Sequence, residues 1–520
     1  MKTADNIRIG IPRDSITESI WQENIEPVQS DISKHNPETT YDVLIIGGGI
    51  TGITTAMLLQ EAGKNCILAE AHTIGYGTTG GTTAHINTFL DIGYDHIEKN
   101  FGEEASKTVA MACKEAIELV AGFVTKYKID CDFAYKKGFL YAETEKEASD
   151  LDKLSEASIK AGVPVQPADN IPVPVPFKKA VVFDRQAQIH PLKYIYALAL
   201  EFTKKGGLIL QNTLIQSTEK SSDFHIAKAD NTSIKAKKIV YATHIPPGIN
   251  LLHFRCAPYR SYSLGVRLAG NNYPFDLAYD MKVPYHYFRT HDINGQQYLV
   301  IGGEDHKTGH GNPDQAFQSL EEYVHHHYRG ASVEFKWSAQ YYVPADGLPY
   351  IGKLPGFDND VYVSTGFNGN GITLGSISGK ILRDLVLDYI NPYADLFSPG
   401  RIKPVAGFTD FVKENADVAY RFFADRLSAK DIHSLNEIPL DSGALVEYKN
   451  EKLAIYKDAT GEIHALNPVC THAKCIVNWN NSEKSWDCPC HGARYAINGE
   501  VLTGPASKGL QKVEIGQGPD

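Results

Sequence analysis

Near the C-terminus, "CTHAKCIVNWNNSEKSWDCPCHG" (Cys470 to Gly492) gathers four of the chain's eight cysteines and two histidines into one stretch. Thiolates and imidazoles at this density bind a metal, close a disulfide or carry electrons. Spacing narrows the choice. Cys470-Thr-His472 and, after a fifteen-residue gap, Cys488-Pro-Cys490-His491 each place one cysteine and one histidine in a tight knuckle. A zinc finger with two cysteines and two histidines pairs its cysteines in one knuckle and its histidines on another element. With one of each in both knuckles, two loops can instead close on a binuclear iron–sulfur cluster.

A second chemistry stands near the start of the chain. "YDVLIIGGGITGITTAMLLQEAGKNCILAEA" reads as strand, glycine turn, helix and strand, with Gly47, Gly49 and Gly52 in G-x-G-x-x-G spacing. Gly47 permits the tight turn, Gly49 lets backbone approach a pyrophosphate, and Gly52 lets the helix pack on the strand. The helix start at Ile50 and Thr51 then faces the phosphates. Glu70, eighteen residues after Gly52 and followed by Ala71, ends the second strand, where it accepts bonds from the adenosine ribose. A dinucleotide follows. There is no second G-x-G-x-x-G, which disfavours reductases that hold NAD and FAD on two such domains.

Resemblance decides between the two dinucleotides. "KIVYATHIP", containing Ala242 and Thr243, looks like the strand and turn that return to the cofactor in two-domain flavoproteins. "DGLPYIGKLPGFDNDVYVSTGFNGNGITLGSISGKIL" resembles the closing flavin motif of the D-amino-acid oxidase-like family. "HPLKYIYALALEFTKKGGLILQNT" and "NPYADLFSPGRIKP" extend the likeness over residues 38 to 405. The resemblance implies FAD. It implies that Gly366, Asn368, Gly369, Asn370, Gly371, Ile372 and Thr373 pass beside the isoalloxazine, with the following helix aimed at it. It also makes "GYGTTGGTTAHIN" the loop over the flavin, supplying Gly77, Thr78, Thr79, Thr82, Thr83 and Ala84, and adds Ile215 as a cofactor contact. "GTTAH" resembles the segment that carries FAD covalently in dimethylglycine dehydrogenase-like enzymes. Ala84 replaces the aromatic there and no Ala-Gly follows His85, so a plain loop histidine is expected.

"RSYSLGVRL" and "PYHYFRTH" alternate as strands of an antiparallel sheet do. By the same resemblance this sheet roofs the flavin. Tyr262, Tyr285, Tyr287 and Arg289 are its candidates for facing the substrate, with Arg289 holding a carboxylate through its two-pronged guanidinium. "VHHHYRG" is expected to be surface, because neighbouring helical histidines diverge by ~100°.

The terminal cysteines and histidines resemble a Rieske centre in spacing, order and flanks, the "GPA" turn at Gly504 to Ala506 included. That resemblance implies a [2Fe-2S] cluster on Cys470, His472, Cys488 and His491, with two thiolates on one iron and two imidazoles on the other. It also implies a disulfide between Cys475 and Cys490. Ala493 stands where cytochrome bc-type Rieske proteins tend to have a serine, and Tyr495 where a tyrosine donor is often found. Losing one donor to sulfur predicts a reduction potential below theirs.

The expected architecture is an α/β FAD-binding Rossmann-type domain with an antiparallel-sheet substrate domain (α+β), plus a C-terminal all-β Rieske domain. Residues 1–37 form an N-terminal extension and 38–405 the oxidoreductase, with substrate-domain segments near 120–180 and 255–340. A linker helix over 406–430 and the Rieske domain over 431–520 complete the chain. Cys66, Cys113, Cys131 and Cys256 read as plain buried thiols. The net charge of -11 gives no reason to expect nucleic acid. No run reaches the ~20 apolar residues of a membrane span, and without a signal sequence a cytoplasmic location is expected.

The combination implies oxidation of a C–N bond in an amine or amino acid by hydride transfer to FAD. Electrons then pass singly through the cluster to an external acceptor, a protein or quinone. Electrons running inward from a donor, or a redox module without a small-molecule substrate, are the alternatives. A Rieske oxygenase needs an acid three residues before the first histidine of H-x-x-x-x-H, and Val283 stands there before His286.

Overall fold

The computed structural model describes residues 13–30, 32–401, 430–432 and 434–515. Of the linker helix expected over 406–430, only Lys430 is described, and it opens a short strand, Lys430–Asp431. The first sheet orders its strands Tyr350–Lys353, Val361–Thr365, Ser233–Tyr241, Thr40–Ile46, Cys66–Ala69 and Leu208–Leu210. Thr40–Ile46 pairs in parallel with both neighbours. Its apolar run has no alternation because both faces are covered. Val43 and Ile45 pack into a core with helix Ile50–Glu61, whereas Leu44 and Ile46 join a second core with Ile239 and Tyr241. Helix Gly371–Val386 packs on the same glycine-motif helix.

The second sheet has nine strands, eight of them in the order Ser332–Pro344, Cys256–Arg267, Gln296–Lys307, Tyr287–Ile293, Leu277–Asp280, Ala134–Ala142, Lys179–Gln188 and His85–Ile86. Its pairings are antiparallel except between Leu277–Asp280 and Ala134–Ala142. The C-terminal part folds as two four-stranded sheets, one from Lys430–Asp431 to Ile463–Leu466 and one from Asn478–Asn480 to Val501–Thr503. Among the described residues, no helix is long and apolar enough to cross a membrane.

The segment before the first strand is woven into the molecule. Ile20 and Trp21 are fully buried, and the Trp21 indole N–H donates to the Thr82 carbonyl of the flavin loop. Arg13 donates to the Ser338 carbonyl, and Asp14 accepts from Arg494. They border a buried ionic cluster that fastens the C-terminal sheets to the rest. Glu483 accepts from Arg260, Arg494 and Ser338, and Arg494 also donates to Asp487 at 3.0 Å. Arg13, Arg260 and Arg494 face Asp14, Glu483 and Asp487, three charges of each sign.

Burial alone would raise the Glu483 carboxyl, but Arg260, Arg494 and Arg13 hold it down at about 2. A depressed carboxyl stabilises the fold above its unfolded value near 4.5, and that contribution disappears as pH falls toward 2. Glu483→Gln leaves the buried Arg260 guanidinium without its counter-charge, which costs on the order of 3–5 kcal/mol. The expected outcome is a clearly lower thermal midpoint at pH 7. The gap to wild type should narrow toward pH 3, as calorimetry across that range would show.

Candidate active site and redox centre

One long cavity runs between the two large sheets and under the C-terminal domain. Gly47, Gly49, Ile50, Thr51, Glu70, Ala71, Gly77, Thr78, Thr79, Thr82, Thr83, Ile215, Ala242, Thr243, Asn368, Gly369, Asn370, Gly371 and Ile372 line it. Four other expected cofactor residues sit behind this lining. A Cβ on Gly52 would stand 1.9 Å from the Gly47 carbonyl oxygen. Gly366 backs onto Pro344 and Cys256. The Thr373 hydroxyl accepts from the Asn87 N–H, and the Ala84 carbonyl accepts from Arg289.

The walls fit a dinucleotide. Gly47 has φ +111°, and a Cβ there would meet the Ala242 carbonyl oxygen at 2.3 Å, so only glycine makes this turn. The Thr79 hydroxyl accepts from the Ile50 N–H and so anchors the flavin loop against the helix start, where backbone donors gather for a phosphate. The Glu70 carboxylate accepts from the N–H groups of Gly48 and His72, at 2.6 and 2.9 Å. These bonds aim the acid expected to hold the ribose.

Two of the expected substrate residues point elsewhere. On Cys256–Arg267, Ser261 and Ser263 line the cavity, so by the period of two Tyr262 faces the other way. Its ring packs against Phe317 and stacks on His306. Arg289 is fully buried and does not line the cavity. It donates to the carbonyls of Thr83, Ala84 and Ile189 and bonds the His291 ring, while its guanidinium lies over Trp21. It therefore pins the flavin loop from behind, and its one unpartnered nitrogen, Nε, is buried away from the cavity lining. Tyr285 and Tyr287 do line the cavity, together with Ser261, Ser263, Tyr279, Asp305 and Tyr341. Strand parity could have found the serines, but a bulge at Glu304, where φ is +56°, takes Asp305 out of the alternation of Gln296–Lys307 and leaves no sequence signal for it.

His85 also lines the cavity. Tyr279 donates to Asn87 and takes a bond from His85 Nδ1, which leaves Nε2 buried with no partner. Burial, then the Arg289 charge, holds this imidazole neutral, well below its ordinary value.

The terminal knuckles converge as a metal centre requires. Cys470 and Cys488 are buried and unbridged, whereas Cys475 and Cys490 form a disulfide. The sulfurs of Cys475, Cys488 and Cys490 lie within 4.8 Å of one another, but a disulfide offers no thiolate. The rings of His472 and His491 lie 5.1 Å apart. His472 Nδ1 and both ring nitrogens of His491 are buried without a partner, which leaves a nitrogen on each ring able to take a metal ion. A hydrogen bond from the Cys488 thiol, aided by Tyr495, holds Cys470 below the ordinary thiol value.

The Tyr495 hydroxyl lies 3.1 Å from the Cys470 sulfur, and Ala493 is fully buried. Tyr495→Phe removes a donor that favours the reduced, more negative cluster. At ~1 kcal/mol for the bond, the midpoint should fall by about 40 mV. A potentiometric titration followed by EPR reads it.

The two sites meet. His472 Nε2 bonds the Gly248 carbonyl at 3.0 Å, and His253 lies against both cluster histidines. Gln340 and His244 line the cavity, and the His244 ring contacts Tyr342. Gln340 and Tyr342 donate to the carbonyls of Gly492 and His491, at 3.0 Å each. Val501 to Ser507 of the C-terminal domain close the same cavity.

A dinucleotide cradle and a two-cysteine, two-histidine centre sharing one wall define an FAD-dependent oxidoreductase with a built-in iron–sulfur domain. The chain belongs to the FAD dependent oxidoreductase (DAO) family, whose model matches residues 42–385, and the Rieske [2Fe-2S] domain model matches residues 430–514. It is 32% identical over 481 residues to the Rieske 2Fe-2S iron-sulfur protein YhfW of Bacillus subtilis (strain 168), covering 92% of this chain and 94% of that one. Gamma-glutamylputrescine oxidoreductase of Escherichia coli (strain K12) is 23% identical over 68% of this chain and 84% of its own. The structure of glycine oxidase from Geobacillus kaustophilus superposes with a TM-score of 0.59 at 19% identity, covering 70% of this chain and 99% of that one.

Proposed function

We propose that this chain oxidises a C–N bond of an amine or amino acid and hands the electrons, one at a time, to an external protein or quinone. The observation that carries the reading is the shared wall, where Gln340 faces the cavity and donates to the Gly492 carbonyl of the cluster loop. FAD supplies two-electron oxidation of substrate, and the cluster supplies one-electron transfer. The chain's own part is placement. Gly49 and the Ile50 helix start would hold the phosphates, and Arg289 and Thr79 fix the loop that would cover the ring. The sheet with Ser261, Tyr285 and Tyr287 covers the reacting side and excludes water. His472 docked on Gly248 keeps the centre within reach of the cavity. Two relatives support the substrate class, since gamma-glutamylputrescine oxidoreductase is named for an amine and glycine oxidase for an amino acid.

The test is anaerobic. A panel of amines and amino acids is added to holoprotein while flavin absorbance and the EPR of the cluster are followed. A member that bleaches the flavin and brings up the reduced-cluster signal supports the reading. If every member leaves both centres oxidised, the reading fails.

A further inference from the structure

The substrate side of the cavity carries an acid and, among the described residues, neither arginine nor lysine lines any part of the cavity. The acid is Asp305. Ser261 donates to its Oδ1, and Tyr341 donates to its Oδ2 at 2.7 Å. The Tyr287 hydroxyl bonds Ser261 at 2.7 Å, so the carboxylate is fixed from two strands. Each oxygen accepts one protein bond and keeps a lone pair for a ligand. The rings of Tyr285 and Tyr287 stand 5.6 Å apart on the same lining, and the Tyr285 hydroxyl donates to Asp91. Faces of this kind attract a cation.

An α-amino acid would bring a carboxylate into this space. Arg289, the residue expected to receive it, is committed to backbone carbonyls, and Arg260 is paired with Glu483. The incoming anion would meet Asp305 with no cationic side chain on the lining to offset it. We propose that the cavity selects a cationic amine without a carboxylate near its reacting carbon, with its ammonium held by Asp305 between Tyr285, Tyr287 and Tyr341. Burial pushes the Asp305 carboxyl up to about 7, and a bound cation draws it back toward ionisation. The assignment deepens the amine-or-amino-acid reading above and rests on it for turnover alone.

The experiment uses holoprotein and two unreactive probes, butyltrimethylammonium and butyrate, titrated against the flavin spectrum. The expected result is a saturable perturbation by the cation alone, weakened at least tenfold by Asp305→Asn and restored by Asp305→Glu. Butyrate binding as tightly as the cation, or a cation affinity unchanged in Asp305→Asn, overturns the proposal. Should Asp305→Asn not fold, the comparison of probes in the wild type still decides. If the cation binds through Asp305 but no amine bleaches the flavin, the oxidation reading falls and this site stands. If only amino acids bleach it, oxidation stands and this proposal falls.

Discussion

Gly52→Val should purify without FAD. A Cβ at this position lies 1.9 Å from the Gly47 carbonyl oxygen and 3.0 Å from its carbon, and both are backbone atoms that no rotamer change can move. The turn must open, which breaks the Gly48 bond to Glu70 and the Ile50 bond to Thr79 and moves the helix start away from where the pyrophosphate would lie. Two charge-assisted bonds lost between the helix start and the phosphates, at ~2 kcal/mol each, amount to about a thousandfold in affinity. The measurement is flavin released per protein after gel filtration, against Gly63→Ala as control. Gly63 ends the same helix with φ +81°, yet nothing lies within 4 Å of its Cβ position. Its replacement costs roughly 1 kcal/mol of left-handed strain and should keep the flavin. Full FAD content in Gly52→Val would contradict the close approach.

The cradle was legible because its requirements are local. Gly47, Gly52 and Glu70 are needed by one turn and one ligand, and a single strand–turn–helix–strand segment records all three. The knuckles were legible for the same reason, since each loop carries its own cysteine and histidine. The substrate wall was not. Whether Tyr262 or its neighbours Ser261 and Ser263 face the cavity depends on one residue of register, and residue type misled where parity would have served. Arg289 was misread because its partners, the carbonyls of Thr83, Ala84 and Ile189, lie one to two hundred residues away. Nor does local pattern reveal that Arg13 and Asp14 belong to the same buried cluster as Glu483, some 470 residues on.

His472→Gln should separate the two halves of the reaction. The imidazole has two duties that the structure assigns to different atoms. Nδ1 is buried and free for iron, while Nε2 bonds the Gly248 carbonyl across the domain interface. Glutamine removes the ligand and keeps an N–H that can reach the same carbonyl. Docking also rests on Glu483 and Arg494 and on the Gln340 and Tyr342 bonds to the cluster loop. The variant should therefore hold FAD, lose the Rieske EPR signal, and still bleach its flavin in a single anaerobic turnover. With a one-electron acceptor that the wild type reduces, steady turnover should fall at least a hundredfold, about 3 kcal/mol. Turnover at the wild-type rate without the cluster would mean that the flavin gives its electrons directly to the acceptor. In that event the shared wall of Gln340 and Tyr342 would serve to hold the domains together and would not lie on the electron path.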